Sequence, residues 1–85
     1  MRLDKYLKVS RLIKRRTLAK DAAEADRILV NGVAAKPSKL IGVGDEITIS
    51  YGKKTIVVRV TNILQSTKKD DANLMYELIS ETIKE

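Results

Sequence analysis

Eighty-five residues, with seventeen Lys+Arg against eleven Asp+Glu, give a net charge of +6 and an isoelectric point near 9.7; a chain this short hides only about 60–65% of its unfolded surface, so it holds one small core. Neither cysteine nor histidine occurs, which excludes disulfides, Cys/His zinc sites, thiol nucleophiles and His-dependent triads. No apolar run approaches the ~18 residues of a membrane span and the N-terminus lacks a signal-peptide core, so a cytoplasmic setting without membrane association is expected.

Two helical segments open the chain. Leu3, Tyr6 or Leu7, and Ser10 recur at helical spacing, while Arg2, Lys5 and Lys8 step by three along another face. So short a helix is not stable alone in water and must dock, with Leu12 and Ile13 supplying apolar contacts in the connection. The second helix is predicted from Arg15–Thr17 to about Ala25. Its Ala19, Ala22, Ala23 and Ala25 favour helix and permit close approach to a neighbour.

From Ile28 the period turns β-like. Ile28-Leu29-Val30, Asn31-Gly32, Val33 is the pattern of a tight hairpin, because Asn and Gly tolerate positive φ. Lys36-Pro37-Ser38 reads as a loop, and Gly42-Val43-Gly44-Asp45 as a turn. Ile47, Ile49 and Tyr51 alternate with polar residues, as do Ile56, Val58 and Val60 beyond the turn at Gly52-Lys53. These two strands are expected to pair across Tyr51–Lys54. For the last twenty residues, Thr67-Lys68-Lys69-Asp70 fits a capping box, and Ala72, Met75, Leu78 or Ile79, and Ile83 fit a helical stripe covering the sheet. A C-terminal helix is the favoured reading of the extension; a further strand through Leu74–Ile79 is its competitor.

Little here supports catalysis. No carboxylate is grouped with a nucleophile, Gly42-Val43-Gly44 lacks the context of a dinucleotide site, and no spacing suggests an all-oxygen metal site. No enzymatic activity, cofactor or metal is expected. Charge is the informative signal. Residues 1–27 hold nine cations against four acids, residues 28–65 five against two, and residues 66–85 three against five. Arg11, Lys14, Arg15 and Arg16 cluster at the entry to the second helix. Guanidinium groups match phosphate oxygens bidentately, and a helix N-terminus adds free N–H groups and positive potential; a merely solvated face is the bland alternative. With three tyrosines, no Phe and no Trp, base stacking has few platforms, so backbone and shape of folded RNA or duplex are the expected targets.

Arg2-Leu3-Asp4-Lys5-Tyr6-Leu7, Lys14-Arg15-Arg16-Thr17-Leu18-Ala19, Val30-Asn31-Gly32, Lys36-Pro37-Ser38 and Val43-Gly44-Asp45-Glu46-Ile47 stand in this order. Together they resemble the RNA-binding module named after the fourth small-subunit ribosomal protein, the S-four domain. The resemblance implies an α+β fold, with two N-terminal helices and an L-shaped β loop on a small antiparallel sheet. It suggests a domain over residues 1–65 and an extension over 66–85. Beginning at Met1 with no attached enzyme, the chain is most similar to stand-alone bacterial members acting in ribosome quality control. For these the resemblance implies binding to large-subunit rRNA and peptidyl-tRNA beside an RqcH-like tailing factor, as a monomer. The heat-shock or assembly-related members are the alternative; a protein-binding adaptor is one of another class. Carried onto this sequence, the RNA-contacting set is Arg2, Lys5, Lys8, Arg11, Lys14, Arg15, Arg16 and Lys36, with Arg2 and Arg16 foremost. Asp26 stands where many members have glycine, at a helix end that suits a left-handed residue.

Overall fold

A computed structural model of the chain describes residues 1–64 and 74–83. Helix α1 (Leu3–Val9) and helix α2 (Arg16–Glu24) precede strands β1 (Ile28–Val30), β2 (Val33–Ala34), β3 (Glu46–Tyr51), β4 (Lys54–Val60) and β5 (Tyr76–Ile83). The strands form one antiparallel sheet in the order β2-β1-β3-β4-β5. Inward residues follow the period of each element: Leu3, Tyr6 and Leu7 from α1, Ala19 and Ala23 from α2, Ile28 and Val30, Ile47 and Ile49, and Ile56, Val58 and Val60 from the strands. Small alanines on α2 let the two helices pack side by side over the sheet.

Both hairpins form at the expected residues. Asn31 and Gly32 have φ of 52° and 83°, joining Val30 to its partner Val33 with the twist a two-residue loop requires. Tyr51 pairs with Lys54 across Gly52, whose φ is 68°. Asn31 also ties the first hairpin to β3: its Oδ1 accepts from the Glu46 N–H at 3.0 Å and its amide donates to Asp45 at 3.2 Å.

The helices end alike. Ala25 caps α2; beyond it the Asp26 N–H donates to Ala23 O at 3.1 Å and the Arg27 N–H to Ala22 O at 3.0 Å, with Asp26 at φ 58°. This is the paired bonding of a Schellman termination, which wants a left-handed residue at the Asp26 position. At the end of α1, Arg11 takes φ 63° and donates its N–H to Lys8 O at 3.0 Å. An arginine gives no sequence signal for this conformation.

Among the described residues the expected C-terminal helix is not formed. Residues Tyr76–Ile83 are strand β5, paired along the whole of β4 with a bulge at Ile79, where Val57 faces Ser80 and Val58 faces Leu78. A helix would have satisfied its own backbone and left the polar edge of β4 bare, whereas β5 pairs that edge. Side chains agree with the pairing. Arg59 faces Glu77 and also pairs with Glu46, and Lys54 meets Glu81 at 2.9 Å. The supposed helical stripe does not share one buried face: Met75 is fully buried, whereas Leu78 and Ile83 are 51% and 67% exposed. The capping-box residues 67–70 lie outside the described residues.

Tyr6 secures the return of the chain. Its buried hydroxyl donates to Met75 O at 2.6 Å, and that carbonyl also accepts from the Thr61 and Asn62 N–H groups at 2.9 and 3.3 Å. Tyr51, in contrast, is exposed rather than part of the core, and its hydroxyl donates to Leu12 O in the interhelical connection.

Candidate nucleic-acid interface

The start of α1 is fixed by the loop that follows β2. The Leu3 and Asp4 N–H groups donate to Lys39 O and Pro37 O at 2.8 and 3.1 Å, and the Tyr6 N–H to Arg2 O at 2.9 Å. The Lys5 N–H donates to the Asp4 carboxylate at 2.8 Å. The Leu3, Asp4 and Lys5 donors at the start of this helix are therefore satisfied internally, the Tyr6 bond being the first of the helix itself. Helix α2 differs. Arg15 occupies its N-cap position without a side-chain cap, and no acid stands in its first turn, so donors and positive dipole end remain available to an anion.

Arg2 and Arg16, fourteen residues apart in sequence, are brought together by one carboxylate. Arg2 Nη2 lies 3.3 Å from Asp4 Oδ2. Arg16 forks onto both oxygens of the same group, with Nε 3.4 Å from Oδ2 and Nη2 3.5 Å from Oδ1. The Asp4 side chain is 4% exposed, whereas those of Arg2 and Arg16 are 48% and 49% exposed. Two half-exposed guanidinium groups thus stand side by side on a buried anion at the junction of α1 and α2.

The other candidate cations surround this pair less tightly. Lys5 is half-buried on α1, and Lys8, Arg11, Lys14 and Arg15 are exposed along its end and the connection to α2. Among the described residues, no ion pair draws Lys8, Lys14 or Arg15 to Asp4. Lys36 is exposed in the loop that holds the start of α1, where it lines an open groove with Val33, Ser38 and Lys39. The cations of β4 are absorbed elsewhere, since Lys54 and Arg59 pair with acids of β3 and β5. Among the described residues, the exposed cations Lys8, Lys14 and Arg15 thus stand at the helical end, away from the acids of β3 and β5. Sequence reasoning missed Asp4, an acid within the basic Arg2–Lys8 segment whose burial shows its purpose only when α2 is in place.

Comparison with known proteins places this geometry in a family. The S4 domain model matches residues 1–47, the stretch that carries the helices, the Asp4 cluster and the first hairpin. The chain belongs to the S4 domain family. It is 57% identical over 82 residues to the RQC P-site tRNA stabilizing factor of Streptococcus pneumoniae, an alignment covering 96% of this chain and 93% of that protein. It is 52% identical over 81 residues to the factor of the same name from Bacillus subtilis, covering 95% and 94%. The solved structure of Vibrio cholerae heat shock protein 15, described as trimeric, superposes with a TM-score of 0.88 at 31% identity, covering 94% of this chain and 82% of that one. These likenesses cover 94–96% of the chain, well beyond the 47 residues of the family match.

Proposed function

We propose that this S4-domain protein is a non-catalytic RNA-binding factor of cytoplasmic ribosome quality control. It binds large ribosomal subunits that still hold peptidyl-tRNA, contacts large-subunit rRNA and the tRNA, and so supports C-terminal alanine tailing by an RqcH-like partner on the same subunit. The observation that carries this reading is the 57% identity, over nearly the full length of both chains, to a factor named for stabilizing P-site tRNA. The exposed Arg2–Arg16 pair supplies chemistry suited to it, since each guanidinium keeps N–H groups for phosphate after meeting Asp4. In this reading Arg2 and Arg16 make the principal phosphate contacts, and Lys5, Lys8, Arg11, Lys14, Arg15 and Lys36 extend the positive surface. Residues 1–65 form the RNA-binding unit, and within the extension over 66–85 strand β5 closes the sheet beside it.

Phosphate recognition at this junction needs both charge and a planar fork. Arg16→Ala leaves the buried Asp4 carboxylate to Arg2 and the Lys5 N–H, so it is expected to melt below wild type while remaining folded at the assay temperature, and to weaken subunit binding by about ten- to hundredfold, the scale of one charge-assisted contact. Arg16→Lys should recover part of that loss, while Lys53→Ala at the distal hairpin should change little. Sedimentation with purified large subunits carrying tRNA, beside melting curves of each variant, makes the comparison. Wild-type binding by Arg16→Ala, or migration of the protein with intact ribosomes alone, would show that the proposed function is wrong.

A further inference from the structure

We propose that Asp4 is a positioning residue for RNA recognition: it fixes the spacing and direction of the Arg2 and Arg16 guanidinium groups, so that the pair is matched to neighbouring phosphates before RNA arrives. This rests on the reading of Arg2 and Arg16 as phosphate contacts.

An acid inside an RNA-binding surface opposes the overall attraction for a polyanion. Its presence therefore calls for a compensating role, and the geometry supplies one. Asp4 Oδ1 is held by the Lys5 N–H at 2.8 Å, so the carboxylate is fixed to the backbone of α1. That backbone is anchored in turn through Leu3 and Asp4 N–H groups to Lys39 O and Pro37 O. Two like charges would otherwise repel and spread over many rotamers. A shared anion between them removes both effects, so less side-chain freedom is lost when phosphate is bound.

The donor inventory leaves room for the ligand. A guanidinium carries five N–H donors, and the Asp4 fork on Arg16 uses the Nε donor and one on Nη2. Both donors on Nη1 and one on Nη2 remain, enough for a bidentate meeting with a phosphate on the adjacent Nη1/Nη2 edge. Arg2 spends one contact, through Nη2, and retains the rest. Asp4 is buried and its two partners are half-exposed, so the anion is shielded by the guanidinium groups it organises.

Charge counting and positioning predict opposite signs for Asp4→Asn. The substitution is nearly isosteric, retains an acceptor for the Lys5 N–H, and raises the net charge by one. If only charge matters, RNA binding becomes tighter. If Asp4 positions the pair, affinity for large subunits carrying tRNA falls by about tenfold, the cost of loosening charge-assisted contacts. Retention on heparin, which demands no fixed spacing, stays the same or increases. The loss should also depend on the arginines: in an Arg2→Ala/Arg16→Ala background, Asp4→Asn should change subunit binding by less than about threefold, because coupled residues are not additive.

The experiment measures subunit affinity, heparin elution and melting for wild type, Asp4→Asn, Arg2→Ala/Arg16→Ala and the triple variant. Weaker subunit binding with undiminished heparin retention supports positioning. Equal or tighter subunit binding by Asp4→Asn, while the double arginine variant is weakened, overturns the role of Asp4 and leaves the RNA face intact. Wild-type binding by the double arginine variant overturns the face and the positioning role together. Should Asp4→Asn not fold, Asp4→Glu carries the test at unchanged net charge: its added methylene displaces the carboxylate, and weaker subunit binding by a folded protein supports the inference, whereas wild-type binding refutes it.

Discussion

Asp26→Gly tests the chain's most exposed conformational compromise. Asp26 holds φ 58° because the α2 termination needs it: its N–H reaches Ala23 O and the following N–H reaches Ala22 O. A residue with a Cβ in the left-handed region is disfavoured by roughly 1–2 kcal/mol, less for aspartate than for most. A carboxylate beside a helix C-terminus adds an unfavourable interaction of about 0.3–1 kcal/mol. Against these stands the greater freedom of glycine in the unfolded chain, about 0.5–1 kcal/mol. The balance favours glycine by about 1 kcal/mol, or a rise in Tm of roughly 4–8 °C for a chain of this size. Calorimetry of the two proteins in the same buffer measures it. A clear fall in Tm would mean that Asp26 makes a specific cap or adopts ordinary dihedrals, and that the end of α2 is misassigned.

Arg11→Gly, relieving φ 63° at the end of α1, should likewise raise stability by up to about 1 kcal/mol, while weakening RNA binding, so melting and affinity move in opposite directions. Binding to structured RNA should fall with salt at a log–log slope of roughly −3 to −5, as expected for four to six neutralised phosphates; a flat titration would reduce the basic cluster to a solvated surface. Alkali should destabilise the fold through two tyrosines. Burial, with the Tyr76 phenol adding to it, pushes Tyr6 well above its ordinary 10.0; partial burial of the otherwise exposed Tyr51, again with Tyr76 adding to it, pushes that group up to about 12. The folded protein then keeps protons that the unfolded chain releases, so this contribution is intact below pH 10 and is lost as pH rises from about 10 toward the folded values. Tyr6→Phe should cost about 1 kcal/mol near neutrality, since Met75 O retains its two N–H donors, and should flatten the alkaline loss seen by urea titration from pH 8 to 11.

Local signals carried much of this fold. Asn31-Gly32 and Gly52-Lys53 sit in hairpins because positive φ is cheap there, and the alternation of Ile47, Ile49, Ile56, Val58 and Val60 fixes which face of β3 and β4 is inward. The tail defeated the same reasoning. Met75, Leu78 or Ile79, and Ile83 fit a helical period while the run Leu74–Ile79 also suits a strand, and what decides between them is the open edge of β4 and the charges of Arg59 and Lys54, a partner that a local window does not contain. Arg11 was unreadable in its conformation for a related reason, since the end of α1 imposes a left-handed residue that arginine does not advertise. In the candidate site the cations were visible by composition alone, whereas Asp4 gains meaning only through the packing that brings Arg16 beside Arg2.

The central claim is that the helical end of this protein meets RNA on the large ribosomal subunit. Crosslinking of the protein to RNA in cells, followed by sequencing of the bound fragments, tests it most directly. Crosslinks concentrated in large-subunit rRNA and tRNA, and lost in the Arg2→Ala/Arg16→Ala protein at equal abundance, are the predicted result. Crosslinks spread over messenger or small-subunit RNA, or undiminished in that variant, would contradict it.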